Sequence, residues 1–104
     1  MITKERLREL FSYNEETGNL HRKTKGRGRN SSIGDIAGGK NGNGYIYVRV
    51  DRHKVRAHRM IWLMVYGVLP NNEIDHNNRV RWDNRLVNLS DVTSKVNQNN
   101  KLNR

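Results

Sequence analysis

A small α+β domain is the fold this sequence predicts, and three observations predict it. The chain has 104 residues and a mean hydropathy of -0.97, so it can hold only one small, local core. One segment, residues 58–66, is apolar nearly all round over about two helical turns, which predicts a buried central helix. Around it, short runs of β-branched and aromatic residues punctuated by Gly and Asn predict hairpins. The expected division is residues 1–70, with a helix, a basic loop, hairpins and the central helix. Residues 71–104 follow as a strand, strand, helix unit in the same compact domain.

In chain order, Thr3 can cap a first helix in which Leu7, Leu10 and Phe11 recur at helical spacing. An acidic, glycine-terminated turn at residues 14–18, between Tyr13 and Leu20, predicts a small hairpin. Residues 22–29, RKTKGRGR, carry Arg22, Lys23, Lys25, Arg27 and Arg29 with nothing apolar. They form either an electrostatic arm for phosphates or a solvated linker. Residues 34–44 are glycine-rich turn chemistry.

A strand over residues 45–50 then turns at Asp51-Arg52 and returns over 54–57. Ile46, Val48 and Val50 share one face, Tyr45, Tyr47 and Arg49 the other. With Arg52, Lys54 and Arg56 nearby, the second face is either DNA-facing or simply wet. The central helix follows, closed by Gly67 as its left-handed terminal residue. His58 at its start reads as a hydrogen-bonded structural residue, with a ligand role as the alternative. His21 and His53 read as surface residues. Trp82 reads as a cover for the small core, with base stacking or groove insertion as the alternative.

The formal net charge is +10, from 20 Lys+Arg against 10 Asp+Glu, and the isoelectric point is near 10.5. That balance predicts a polyanionic partner, nucleic acid first. A basic membrane-surface protein needs a long amphipathic helix, for which the Gly and Asn punctuation leaves no room. With no cysteine there is no disulfide and no thiolate zinc site, so a metal must sit on His, Asp, Glu or Asn. The opening residues lack the apolar run of a secretory signal, and residues 60–66 are too short to span a bilayer. The chain reads as soluble and cytoplasmic.

Residues 74–100 carry the chemistry. Hydrolysing a phosphodiester takes a base to deprotonate water and a cation to stabilise charge on phosphate and leaving group. Asp75-His76 supplies a carboxylate for a cation such as Mg²⁺ and an imidazole base. Adjacent strand residues point to opposite faces, so both serve one site only if the strand ends or bends, and residues 77–79 can make that bend. Residues 86–92 can pair back on 73–75, and Thr93 or Ser94 can cap a terminal helix that brings Asn97 to the metal. Asn88, able to donate and accept, can hold the intervening loop. Arg79, Arg81, Arg85 and Lys95 surround the site as phosphate holders or as a solvated basic face.

The order and spacing of Ile74-Asp75-His76, Asp83-Asn84-Arg85-Leu86, Asn88-Leu89 and Val92-Thr93 with Asn97, Asn99 and Asn100 resemble an HNH endonuclease of the phage and intron-associated type. Gly44-Tyr45-Ile46, Ala57-His58-Arg59 and Trp62 resemble the segment upstream of that motif, so the likeness spans about residues 7–100. The resemblance implies a ββα-metal finger in which His76 is the general base, Asp75 and Asn97 bind Mg²⁺ or Mn²⁺, and Asn88 orients the loop. Asn97 stands where the family name has its last His, as in one subgroup. Asn78-Arg79 stands where relatives carry an Asp-Gly turn, and no cysteine pairs are present for structural zinc. The implied function is a metal-dependent DNA endonuclease of phage or homing type, acting on double-stranded DNA in a bacterial or phage-infected cell as a monomer or transient dimer. A noncatalytic DNA-binding module of the same fold is the alternative, and an RNA-binding protein rests on charge alone.

Overall fold

Thr3 opens the first helix as its side chain predicts: Oγ1 accepts from the Arg6 amide at 3.1 Å, satisfying one of the free donors of the first turn. The computed structural model describes residues 2–25, 32–70 and 73–91. Helix α1 spans Lys4–Leu10 and runs directly into strand β1, Phe11–Asn14, which turns back as β2, Asn19–Arg22. Residues 34–44 were expected to be turns only. Instead they contain two two-residue strands, β3 (Ile36–Ala37) and β4 (Gly39–Lys40). β3 adds to β2, and β4 adds to the next hairpin. Pieces this short have no hydrophobic period to read, and neighbouring strand edges create them.

The next hairpin is β5, Ile46–Val50, with β6, His53–Arg56. Val48 and Val50 are buried on its inner face, and Ile46 is half-buried. Its two-residue turn puts Asp51 at φ 45 and Arg52 at φ 74, the sense that matches strand twist. The Arg6 guanidinium of α1 forks onto Asp51 at 2.8 and 3.0 Å, tying helix to turn.

Helix α2, Ala57–Tyr66, begins at the residue expected to end β6. Met60, Ile61 and Leu63 are buried on it, and they belong to the same core cluster as Leu7 of α1. Burying each such side chain stabilises the fold by roughly 1.5–3 kcal/mol. Gly67 closes α2 at φ 78. Arg8 of α1 donates twice to the Met64 carbonyl, at 2.6 and 3.1 Å, so a cation sits at the negative end of a helix without one of its own. Among the described residues, no helix is long and apolar enough to cross a membrane.

The C-terminal region is an antiparallel pair, β7 (Ile74–His76) with β8 (Leu89–Asp91), in which His76 faces Leu89 and Ile74 faces Asp91. The second strand was expected from residue 86, but residues Leu86–Asn88 form a single 3₁₀ turn first. Ile74 and Leu89 anchor the pair in the core. The expected terminal helix, with Thr93, Ser94, Lys95 and Asn97, lies outside the described residues. The architecture is α+β, with two helices and small antiparallel sheets.

Candidate active site

His76 ends β7, and the chain turns immediately, Arg79 donating its amide to the His76 carbonyl at 2.9 Å. That abrupt end lets Asp75 and His76 line the same open pocket, as the sequence required. The pocket, about 380 Å³, is also lined by Tyr45, Arg79 and Arg81. Asp75 is half-buried, whereas the His76 ring is almost fully buried.

A buried imidazole needs its orientation fixed, and Asn84 fixes it. His76 Nε2 lies 2.8 Å from Asn84 Oδ1. In this arrangement the amide oxygen can only accept, so Nε2 is the donor, and in the neutral ring the lone pair lies on Nδ1. Asn84 is itself held, because its carbonyl accepts from the Tyr13 hydroxyl at 2.6 Å. Burial pushes that hydroxyl up to about 12, so it keeps its proton and donates. No role for Asn84 was read from the sequence, although it stands inside the Asp83-Asn84-Arg85-Leu86 signature. A position that an amide shares with a turn, a cap or a surface gives no hint of its distant partner.

Asn88 spans the loop after His76. Its Oδ1 accepts from the Asn78 amide at 2.9 Å, and its Nδ2 donates to the Asp83 carbonyl at 2.8 Å. Its own carbonyl accepts from the Asn77 amide at 2.8 Å. The loop keeps a turn without glycine: Arg79 takes φ 64, a region costly for any residue with a Cβ. Asn78 braces it, accepting from Val80 at 2.9 Å and donating to Asp83 at 2.8 Å.

His58 differs from its expectation. It is buried, and among the described residues its Nδ1 has no hydrogen-bond partner. Its ring packs edge-on against His76, centroids 5.0 Å apart, and lies 5.4 Å from Tyr45. Burial, reinforced by the neighbouring His76 ring and by Arg56 and Arg59, pushes His58 down to about 4. It is therefore a neutral wall behind His76. Tyr45 forms the next wall, with the Arg56 and Arg81 guanidinium carbons 4.8 and 5.0 Å from its ring centroid. Aromatic rings hold such cations without removing their charge from a ligand.

The other expected basic residues are dispersed. Arg85 forks onto Asp83 at 2.7 and 2.8 Å, which holds that carboxyl down to about 2. Arg85 lines a second hollow with Glu15 and Glu16 and is not among the residues lining the His76 pocket. Lys23 donates to the Arg8 carbonyl at 2.7 Å. Arg22 is half-buried in β2, and Lys25, Arg49 and Arg52 are exposed. Arg27, Arg29, Lys95 and Asn97 lie outside the described residues. Trp82, expected over the core, is instead 53% exposed, with the Lys40 ammonium 4.3 Å from its ring centroid. Trp82 is not among the residues of the core cluster or those packed against it.

Among the described residues no three His, Cys, Asp or Glu side chains are grouped to hold a metal. The donor set nonetheless fits a hard cation that keeps its waters. Asp75 offers carboxylate oxygen in an open pocket, and Mg²⁺ is commonly held by one or two carboxylates completed by phosphate and water.

A family model described as HNH endonuclease matches residues 55–99. The matched segment takes in α2, the β7–β8 pair and the loop between those strands. The match supports the HNH resemblance read from the sequence, over a shorter span than that reading gave. No curated protein and no solved structure gives a significant match.

Proposed function

We propose that this HNH-type chain is a metal-dependent DNA endonuclease acting at the pocket of Tyr45, Asp75, His76, Arg79 and Arg81. The family match points to nuclease activity on nucleic acid. The observation that carries the finer reading is the His76–Asn84 hydrogen bond, because in the neutral ring it leaves Nδ1 as the proton acceptor of a residue that lines one pocket with Asp75.

Arg79 and Arg81 hold the phosphate of the bound strand, offering charge and donors that suit phosphate oxygens. His76 Nδ1 takes a proton from the attacking water, and Asn84 Oδ1 stabilises the imidazolium that results by accepting from Nε2. His58 and Tyr45 keep the ring in place and exclude water from its far side. Asn88 keeps the loop that joins His76 to Arg79 in register. Asp75 would hold the divalent cation, Mg²⁺ or Mn²⁺, with Asn97 as its proposed second ligand. When bound, the cation supplies positive charge for the phosphate and the leaving 3′-oxygen.

The substrate is double-stranded DNA, and the phage or homing setting goes with the resemblance. One pocket per chain cuts one strand, so a double-strand break takes two copies or two visits. Supercoiled plasmid tests the reading. With Mg²⁺ or Mn²⁺ the protein should convert it to open circles, and His76→Ala should slow this by about 10²–10⁴-fold. Equal nicking by both would remove His76 as the base. No nicking by either across several metals would leave a noncatalytic DNA-binding module.

A further inference from the structure

Trp82 is the largest apolar side chain left in water among the described residues. It is 53% exposed, in a chain whose core is short of apolar surface. Its chain neighbour Arg81 lines the pocket. Arg81 also donates to the Asn43 carbonyl at 2.9 Å and lies against Tyr45, so the segment before Trp82 is fixed. A Cβ built at Gly44 would lie 3.8 Å from Trp82 and 3.5 Å from Arg81, so the β4–β5 turn lies against both residues. The Lys40 ammonium caps the indole at 4.3 Å.

An exposed indole that one cation caps, next in the chain to an arginine of the proposed phosphate pocket, has the parts that hold one nucleotide. The cations take the phosphate and the ring takes the base. Stacking of a base on an aromatic ring is stronger than an exposed ammonium–ring contact. A base can therefore displace Lys40 from the ring onto the phosphate. A base inside an intact duplex cannot present its face in this way, because its neighbours cover it.

We propose that Trp82 is a nucleobase-stacking platform, so that the preferred substrate is DNA with an unstacked nucleotide beside the cleaved phosphate, as at a bulge, mismatch or single-strand junction. The proposal rests on the nuclease reading of the adjacent pocket for the identity of that phosphate. Its test needs no cleavage.

Binding is measured without divalent metal on three labelled DNA duplexes: fully paired, with one bulged nucleotide, and with an abasic bulge. A bulged RNA duplex is the fourth probe. The full chain should prefer the bulged DNA over the paired DNA on the order of tenfold. Trp82→Ala should bind both with the affinity for paired DNA, and Trp82→Phe should keep most of the preference. Tryptophan emission should be quenched by the bulged duplex in the wild type and not in Trp82→Phe. Persistence of the preference in Trp82→Ala would overturn the proposal, as would equal preference for the abasic bulge, which has no base to stack. A Trp82-dependent preference for the RNA over the DNA would overturn the DNA assignment. A chain that binds bulged DNA through Trp82 yet nicks nothing supports the platform and overturns the nuclease reading alone.

Discussion

Arg79 occupies a backbone position that residues with a Cβ avoid, at φ 64, and it lines the pocket beside His76. Glycine would relieve the strain, so the arginine holds this position at a cost. Arg79→Gly should therefore stabilise the fold by a net of roughly 0.5–1 kcal/mol, after the added freedom of glycine in the unfolded chain is counted. On the proposed function, the same change should weaken DNA binding and slow nicking, because one of the two proposed phosphate donors is lost. A thermal melt and the plasmid assay read the two effects, and a lower melting temperature would refute the strain argument. His58 makes a second prediction. Its ordinary value is near 6.5, and burial holds the folded ring down to about 4. Between those values the unfolded chain binds a proton that the folded chain refuses, so stability falls as pH drops through that window. The slope reaches at most about 1.4 kcal/mol per pH unit and ends below the folded value. Urea midpoints for wild type and His58→Phe should differ by a constant above pH 6.5 and by a changing amount below it. Parallel curves throughout would show that His58 titrates normally.

At the scale of elements, the β1–β2 hairpin matters to the pocket although it contributes no residue to it. A Cβ at Gly18 would lie 2.4 Å from the Arg85 amide nitrogen and 2.5 Å from the Asn84 carbonyl carbon, at a φ of 79. With Tyr13 bonded to the Asn84 carbonyl, the hairpin presses directly on the segment that orients His76. Gly18→Ala should cost more than about 2 kcal/mol, from the left-handed backbone and the clash together. It should also slow nicking at temperatures where the protein is still folded, since Asn84 must shift. Normal nicking by a destabilised Gly18→Ala would separate the hairpin from the site. This coupling is what the sequence could not display. The turn, helix α2 and the β5–β6 alternation were legible, because period and glycine placement are local properties. That Asp75 and His76 share one pocket, and that Asn88 bonds across the loop, was legible from residue chemistry at close spacing. Asn84, Tyr13 and the packing of His58 on His76 were not, because contacts between distant segments leave no local pattern. Trp82 was misread for a related reason: burial depends on which faces the finished core leaves uncovered.

For the whole molecule, a charge of +10 on 104 residues is useful only where the cations remain available. Arg85 is forked onto Asp83, Arg6 onto Asp51 and Arg8 onto a helix end, so these three brace the fold. Arg79 and Arg81 line the pocket, and the Arg81 side chain also donates to the Asn43 carbonyl. Electrostatic binding to duplex DNA releases counterions, and each cation engaged on a phosphate adds about 0.9 to the steepness of log affinity against log salt. Removing both pocket arginines, in Arg79→Ala with Arg81→Ala, should therefore lower that slope by about 1.8. Arg85→Gln should leave it unchanged, even if it lowers stability, because Arg85 is spent on Asp83. Binding of paired duplex without divalent metal, followed across a salt series, separates the two classes of arginine. A slope reduced as much by Arg85→Gln as by the loss of one pocket arginine would mean that the Asp83 fork opens on DNA and that the phosphate path runs past Glu15 and Glu16. Those carboxylates make that path electrostatically unfavourable, which is why the pocket arginines should carry the effect.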